Sequence, residues 1–190
     1  MKKYIYLDNA ATTKLKPEVF EKMTPYFTEE YGNPSSVYSM ASKTKNAINE
    51  AREKVAKAFG AQPKEILFTS GASESDNWAI KGIADSMKDK GNHLITTKIE
   101  HHAVLHTMEY LEKHGYEVTY LDVDEDGLID LKQLEEAITD KTILISIIFA
   151  NNEIGTIQPI KEIGEIAKKH NVYFHTDAVQ AVGNFEINVY

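Results

Sequence analysis

The sequence predicts an α/β fold, a mainly parallel sheet covered by helices. Three observations carry this. Apolar segments of strand length alternate with amphipathic segments of helix length through most of the chain, and several strand segments are apolar on both faces. The composition, 42% hydrophobic and 26% charged in 190 residues, suits one sizeable domain with a real core.

Taken in order, Ile48, Ala51, Val55 and Ala58 fall on one helical face, with Gly60 as the C-terminal stop. Residues 65–69, Glu-Ile-Leu-Phe-Thr, form a short apolar run that reads as a buried strand. A helix is predicted from about Ser73 to Lys90, closed by Gly91, then a strand over 93–97. The next helix spans 103–114 and ends at Gly115, and residues 116–121 alternate with the period of two that a strand shows. Asp130 is placed to cap a helix containing Leu131, Leu134 and Ile138, with Gln133 positioned to complete a capping box. Residues 143–149 make the strongest strand in the chain, apolar on both faces. Pro159 suits the first turn of a helix carrying Ile160, Ile163, Ile166 and Ala167, and residues 172–176 read as the last strand.

The bulk chemistry excludes several function classes. A formal charge of −8 gives no electrostatic support for a nucleic-acid or anionic-membrane partner. The absence of cysteine excludes disulfides, zinc–thiolate sites and a thiol nucleophile within these residues. No segment has the apolar length of a signal peptide core or a membrane span, so a cytoplasmic protein is expected.

In α/β folds ligands gather at the carboxyl ends of the strands, so the residues just past each strand are the candidate site. Past Thr69 lies Ser70-Gly71-Ala72-Ser73-Glu74-Ser75, small and hydroxyl-bearing residues at a helix start. That is a phosphate-binding arrangement, with plain helix capping by Ser73 as the structural alternative. Past Thr97 come Glu100-His101-His102; past Phe149 come Asn151-Asn152; past Thr176 come Asp177 and Gln180. Pyridoxal phosphate would use all four groups. A carboxylate keeps the pyridine nitrogen protonated, an imidazole stacks on the ring, amides reach the phenolic oxygen, and the helix start holds the phosphate.

Residues 6–13 (Tyr-Leu-Asp-Asn-Ala-Ala-Thr-Thr), 32–36 (Gly-Asn-Pro-Ser-Ser), 68–75, Glu100-His101, 151–155 (Asn-Asn-Glu-Ile-Gly) and 175–180 (His-Thr-Asp-Ala-Val-Gln) together resemble the NifS/IscS cysteine desulfurases. These are class V aminotransferase relatives of the fold-type-I pyridoxal-phosphate enzymes. The resemblance runs in order from residue 4 to about 187. It implies that Ala72 and Ser73 bind the cofactor phosphate, that His101 stacks on the ring, and that Asp177 pairs with the ring nitrogen. It further implies that Gln180 reaches the phenolic oxygen and that Asn152 lies near that oxygen and the substrate carboxylate. The pattern departs from the family at Tyr38, where histidine is usual, and at Ser39-Met40-Ala41, a stretch that often carries glycine.

The implied activity takes sulfur from L-cysteine, releases alanine and passes persulfide to acceptors such as an iron–sulfur scaffold, in a homodimer. Selenocysteine lyase or a related pyridoxal-phosphate lyase, such as a cysteine-sulfinate desulfinase, is the alternative within the class. In the family a lysine past the Asp177 strand forms the Schiff base, a loop cysteine accepts sulfur and an arginine clamps the substrate. Here the last lysine is Lys169, there is no cysteine, and the single arginine, Arg52, sits on the first amphipathic helix. The resemblance therefore implies the N-terminal part of such an enzyme, inactive by itself. Residues 1–15 would associate with the small domain, and residues 16–190 would form an incomplete large domain. It also implies that two strands beyond this region insert beside residues 65–69, so that the chain alone folds poorly.

Two rival readings come from other chemistry. Residues 122–133 approach an EF-hand calcium loop, with Gly127 at position six, but position twelve is Gln133, and the segment entering it reads as a strand. A strand-to-helix acidic turn is the better account. His102 and His106 share a helical face at metal-ligand spacing, without a third ligand in the motif.

Overall fold

The computed structural model describes residues 4–190, which fall into two units: one of residues up to 68 together with 185–190, the other of residues 69–184. In the first unit, proline opens both short helices, α1 (Pro17–Met23) and α2 (Pro25–Thr28), where its fixed φ is already helical and its missing N–H is not needed. Helix α3 (Ser39–Ala58) ends as the sequence predicts, with Gly60 at φ 67 just past its C-cap. Its predicted face is only partly correct. Ala51 and Ala58 are exposed, while Ala41 and Ala56 are buried and Ile48 and Val55 half-buried. The packed stripe runs through Arg52 instead of Ala51. The Arg52 guanidinium lies 5.2 Å from the centre of the Phe68 ring, and its Nε donates to the Ile66 carbonyl at 3.2 Å.

The strand predicted over 65–69 is not formed. Residues 63–65 make one 3-10 turn, closed by a reciprocal capping box between Gln62 and Glu65. Ile66 is then extended, but the segment pairs with no strand among the described residues, and Leu67 and Phe68 are 64% and 51% exposed. Apolar content makes a segment suited to a strand; only a neighbouring ladder makes it one.

The second unit holds a four-stranded parallel sheet in the order β2-β1-β3-β4, where β1 is His93–Thr97, β2 Glu117–Leu121, β3 Thr142–Ser146 and β4 Tyr173–His175. Every residue of β1 and β3 is buried, as their two-faced apolar runs require. One face is covered by α4 (Ala72–Ser86) and α5 (His102–Glu112), through Ile80, Ala84, Val104 and Met108 against Leu94 and Leu144. The other is covered by α6 (Leu131–Ala137) and α7 (Ile160–Lys169), through Leu134, Ile163 and Ala167 against Ile95, Ile145 and Ile147.

Strand β3 stops three residues earlier than predicted, although its course continues: the Ile147 and Phe149 N–H groups bond the carbonyls of His175 and Asp177. Asp130 caps α6, but through the Lys132 N–H at 2.8 Å instead of residue 133, and Pro159 sits at the N-cap of α7, one position before the first turn. Gly91 fills a tight crossing. A Cβ built there would stand 2.1 Å from the Lys141 carbonyl oxygen, a backbone atom that cannot step aside. Gly91→Ala is therefore expected to destabilise by about 1–3 kcal/mol, read as a lowered thermal midpoint.

Candidate functional site

The carboxyl ends of β1, β3 and β4 and the start of α4 lie within the second unit, and the predicted residues sit on them. Gly71 is the N-cap of α4, so Ala72 and Ser73 are its first two residues, both exposed, and no side chain caps the helix. Capping by Ser73 is thus not what this residue does. The preceding turn is tied by other groups: Glu74 accepts from the Ser70 N–H at 2.7 Å and hydroxyl at 2.6 Å, and Thr69 bonds Ser75 at 2.8 Å. The first N–H groups of an α-helix have no acceptor within it, and here the space a Gly71 side chain would take is open. This end of α4 therefore presents N–H groups that no side chain caps.

His101 is the N-cap of α5. Its Nδ1 accepts from the Ala103 N–H at 3.2 Å, which places the ring proton of the neutral form on Nε2. Asp177 follows β4 and is 6% exposed; it accepts from the Val179 N–H at 3.0 Å. Burial pushes its carboxyl above the usual range, and Asp76 pushes in the same direction. The Val179 bond, His101 and His175 oppose. The field of His101 and of Asp76, on the second turn of α4, thus reaches Asp177, so the imidazole and the two acids are near neighbours.

Asn152 is half-buried and donates to Glu153 at 3.0 Å. Its neighbour Asn151 holds the loop: Nδ2 donates to the Ile99 carbonyl at 2.7 Å, and Oδ1 accepts from the N–H groups of Glu153 and Ile154. Gln180 is half-buried in the turn after Asp177, and its backbone carbonyl accepts from Asn184.

Sequence reasoning missed the polar floor beneath these groups. Asp76 and Glu100 are 4% and 6% exposed, each with one buried oxygen lacking a hydrogen-bond partner. Asp76 Oδ1 stands 3.5 Å from His175 Nε2, while His175 Nδ1 bonds the fully buried Ser146 hydroxyl at 2.8 Å. Glu100 and His175 lie inside motifs visible in the sequence, but only their burial distinguishes them from packing residues.

The rival sites are used otherwise. Asp124 accepts from the N–H groups of Asp126 and Leu128, and Gly127 turns the loop at φ 80, so the acidic stretch is a self-bonded turn leading to the α6 cap. His102 and His106 stack at 5.3 Å on an exposed face, and no group of three potential ligands could hold a metal among the described residues.

The model of the aminotransferase class-V family matches residues 5–190. The chain belongs to that family. Among curated class-V relatives, it is 64% identical over 189 residues to a protein named cysteine desulfurase IscS from Clostridium botulinum, covering 100% of this chain and 48% of the relative. It is 63% identical over 187 residues to one of the same name from Methanosarcina thermophila, covering 98% and 46%. The chain spans about half the length of the curated relatives it matches. Of solved structures, a NifS-like protein superposes with a TM-score of 0.94 at 44% identity, covering 97% of this chain and 51% of that one. A structure described as SspA in complex with cysteine gives 0.94 at 48% identity, covering 97% and 53%. The fold is thus that of the NifS-like class-V proteins. Among the described residues no helix is long and apolar enough to cross a membrane.

Proposed function

We propose that these residues form the cofactor-holding part of a pyridoxal-phosphate-dependent cysteine desulfurase, which converts L-cysteine to L-alanine and transfers sulfur as persulfide. The observation that carries this is a buried acid, Asp177, within the field of the His101 imidazole and of Asp76 on α4, the helix whose uncapped start carries Ala72 and Ser73. The names of relatives that share more than 60% of residues support the substrate.

The site suits this cofactor in charge. Asp76 and Asp177 are buried acids near one another, a setting that favours a cationic ring nitrogen, while the α4 start favours its anionic tail. When bound, the cofactor supplies an electron sink for the substrate carbons. The chain's own residues bind and orient. Asp177 would hold a proton on the ring nitrogen, Ala72 and Ser73 would hold the phosphate through N–H groups and a hydroxyl, and the His101 ring would stack on the pyridine. Gln180 would serve the phenolic oxygen, and Asn152 would serve that oxygen and the substrate carboxylate. With no cysteine here and no lysine beyond Lys169, the sulfur-accepting thiol and the lysine that bonds the cofactor come from outside these residues. Homodimerisation, a cytoplasmic setting and delivery of sulfur to iron–sulfur or thio-cofactor assembly complete the proposal.

The test is made on native protein isolated from cells, supplied with pyridoxal phosphate, L-cysteine and a thiol reductant. Equimolar alanine and sulfide are expected. Cysteine left intact by protein that has bound the cofactor would overturn the reading.

A further inference from the structure

The acid beside His101 has no place among the roles above. Glu100 is 6% exposed, and its Oε1 accepts from the Thr97 hydroxyl at 2.7 Å and from the Ile148 N–H at 2.9 Å. Thr97 is the last residue of β1, and Ile148 lies two residues past β3. A single oxygen thus joins two neighbouring strand ends where their ladder has stopped. The other oxygen, Oε2, is buried without a hydrogen-bond partner.

We propose that Glu100 is a positioning residue for the pocket, its carboxyl clamping β1 to β3 and thereby fixing where His101 stands relative to Asp177. The idea rests on reading the pocket as a pyridoxal-phosphate site. His101 is the next residue, and its own side-chain bond, to the Ala103 N–H, is local to the α5 cap. Among the described residues, links from its loop to the strand ends include the Lys98 N–H to the Leu121 carbonyl, the Lys98 ammonium to Asp122, the Ile99 carbonyl to Asn151, and the Glu100 clamp. The clamp is the one adjacent to the ring. The Thr97 hydroxyl both donates to Glu100 and accepts from the Ile99 N–H, so shortening the acid disturbs the turn as well.

The same residue makes the pocket sensitive to pH. The charged groups whose field reaches it are Asp177 past β4 and Asp76 from α4; His101 is its neighbour along the loop. Burial pushes the Glu100 carboxyl up to about 8; the bonds from Ile148 and Thr97 pull it down, and Asp177 and Asp76 push it further up. Near neutrality it is an uncharged acid; above about pH 8 it adds a negative charge beside Asp177. Because its folded value lies above the ordinary 4.5, its stabilising contribution is complete below about pH 4.5 and is lost as pH rises through about 8.

The experiment compares the protein with its Glu100→Gln and Glu100→Asp variants. Without cofactor, the wild-type thermal midpoint is expected to fall between about pH 5 and about pH 8, where the unfolded chain is ionised at this residue and the folded one is not. Glu100→Gln keeps an oxygen acceptor and cannot ionise, so its profile is expected to be flatter. Glu100→Asp is one methylene short, and is expected to shift the His101 ring signals in the proton NMR spectrum. It should also weaken pyridoxal-phosphate binding, followed by dialysis at pH 7, by roughly tenfold, whereas Glu100→Gln stays within about threefold. Unchanged His101 signals and unchanged binding in Glu100→Asp overturn the positioning role. A Glu100→Gln profile as steep as wild type overturns the pH sensitivity. If the wild type binds no cofactor while Glu100→Asp still moves the His101 signals, the cofactor reading fails and the clamp stands.

Discussion

Cutting Ile145 back to alanine is expected to cost about 3–5 kcal/mol of stability, a large share of the about 5–15 kcal/mol that holds a typical domain together. Ile145 is 0% exposed at the centre of β3, the strand with β1 on one side and β4 on the other. Its side chain points to the α6–α7 layer and packs in one cluster with Ile95, Leu134, Ile147 and Ile163. The lost methylenes leave a cavity that fixed strands cannot close, so the transfer and cavity costs add. Val118→Ala on the edge strand β2 is the control. That position is half-buried and open on one side, and about 1 kcal/mol is expected. Urea unfolding followed by circular dichroism measures both. A loss below about 1 kcal/mol at Ile145 would show that the parallel sheet does not carry the second unit.

The same residue shows why much of this unit can be read in one dimension. Residues 93–97 are found as predicted, because a strand buried on both faces must be apolar throughout and no helix competes for so short a run. Acids and imidazoles just past such strands, Asp177 and His101, are legible because topology fixes where strand ends meet. Features set by partners distant in sequence are not legible. Glu100 depends on Ile148, 48 residues away, and Ser146 on His175, 29 residues away; no periodicity records either pairing. Residues 65–69 fail for the complementary reason. Their apolar pattern states a preference, and the ladder that would realise it is not a local property. On α3, Arg52 buries its stem where a count of apolar residues alone selects Ala51, because long charged side chains cover apolar surface while keeping their heads solvated or bonded.

Asp177→Asn is expected to move stability and cofactor affinity in opposite directions. Burial holds the Asp177 carboxyl above its ordinary value, with Asp76 adding to the push, so the folded state disfavours its charge. A group raised in the folded state contributes stability that is present at low pH and lost as pH rises through its folded value. At any pH above its folded value, the cofactor-free protein therefore tolerates an unfavourable charge at this position. Asparagine removes that charge while retaining an oxygen to accept the Val179 N–H, so the variant without cofactor should melt at a higher temperature than wild type. With pyridoxal phosphate the balance reverses. The amide cannot pair as an anion with a protonated ring nitrogen, and losing a charge-assisted bond weakens binding by about 10- to 100-fold. Melting curves without cofactor and dialysis with it read the two effects separately, and the nitrogen-15 shift of labelled cofactor reports whether the ring keeps its proton. A variant that binds as tightly as wild type, with its ring still protonated, would detach this acid from the cofactor. A lower melting temperature without cofactor would mean that the carboxylate is structural. The two signs together would identify a buried charge kept in place for what it binds, at the expense of the fold that surrounds it.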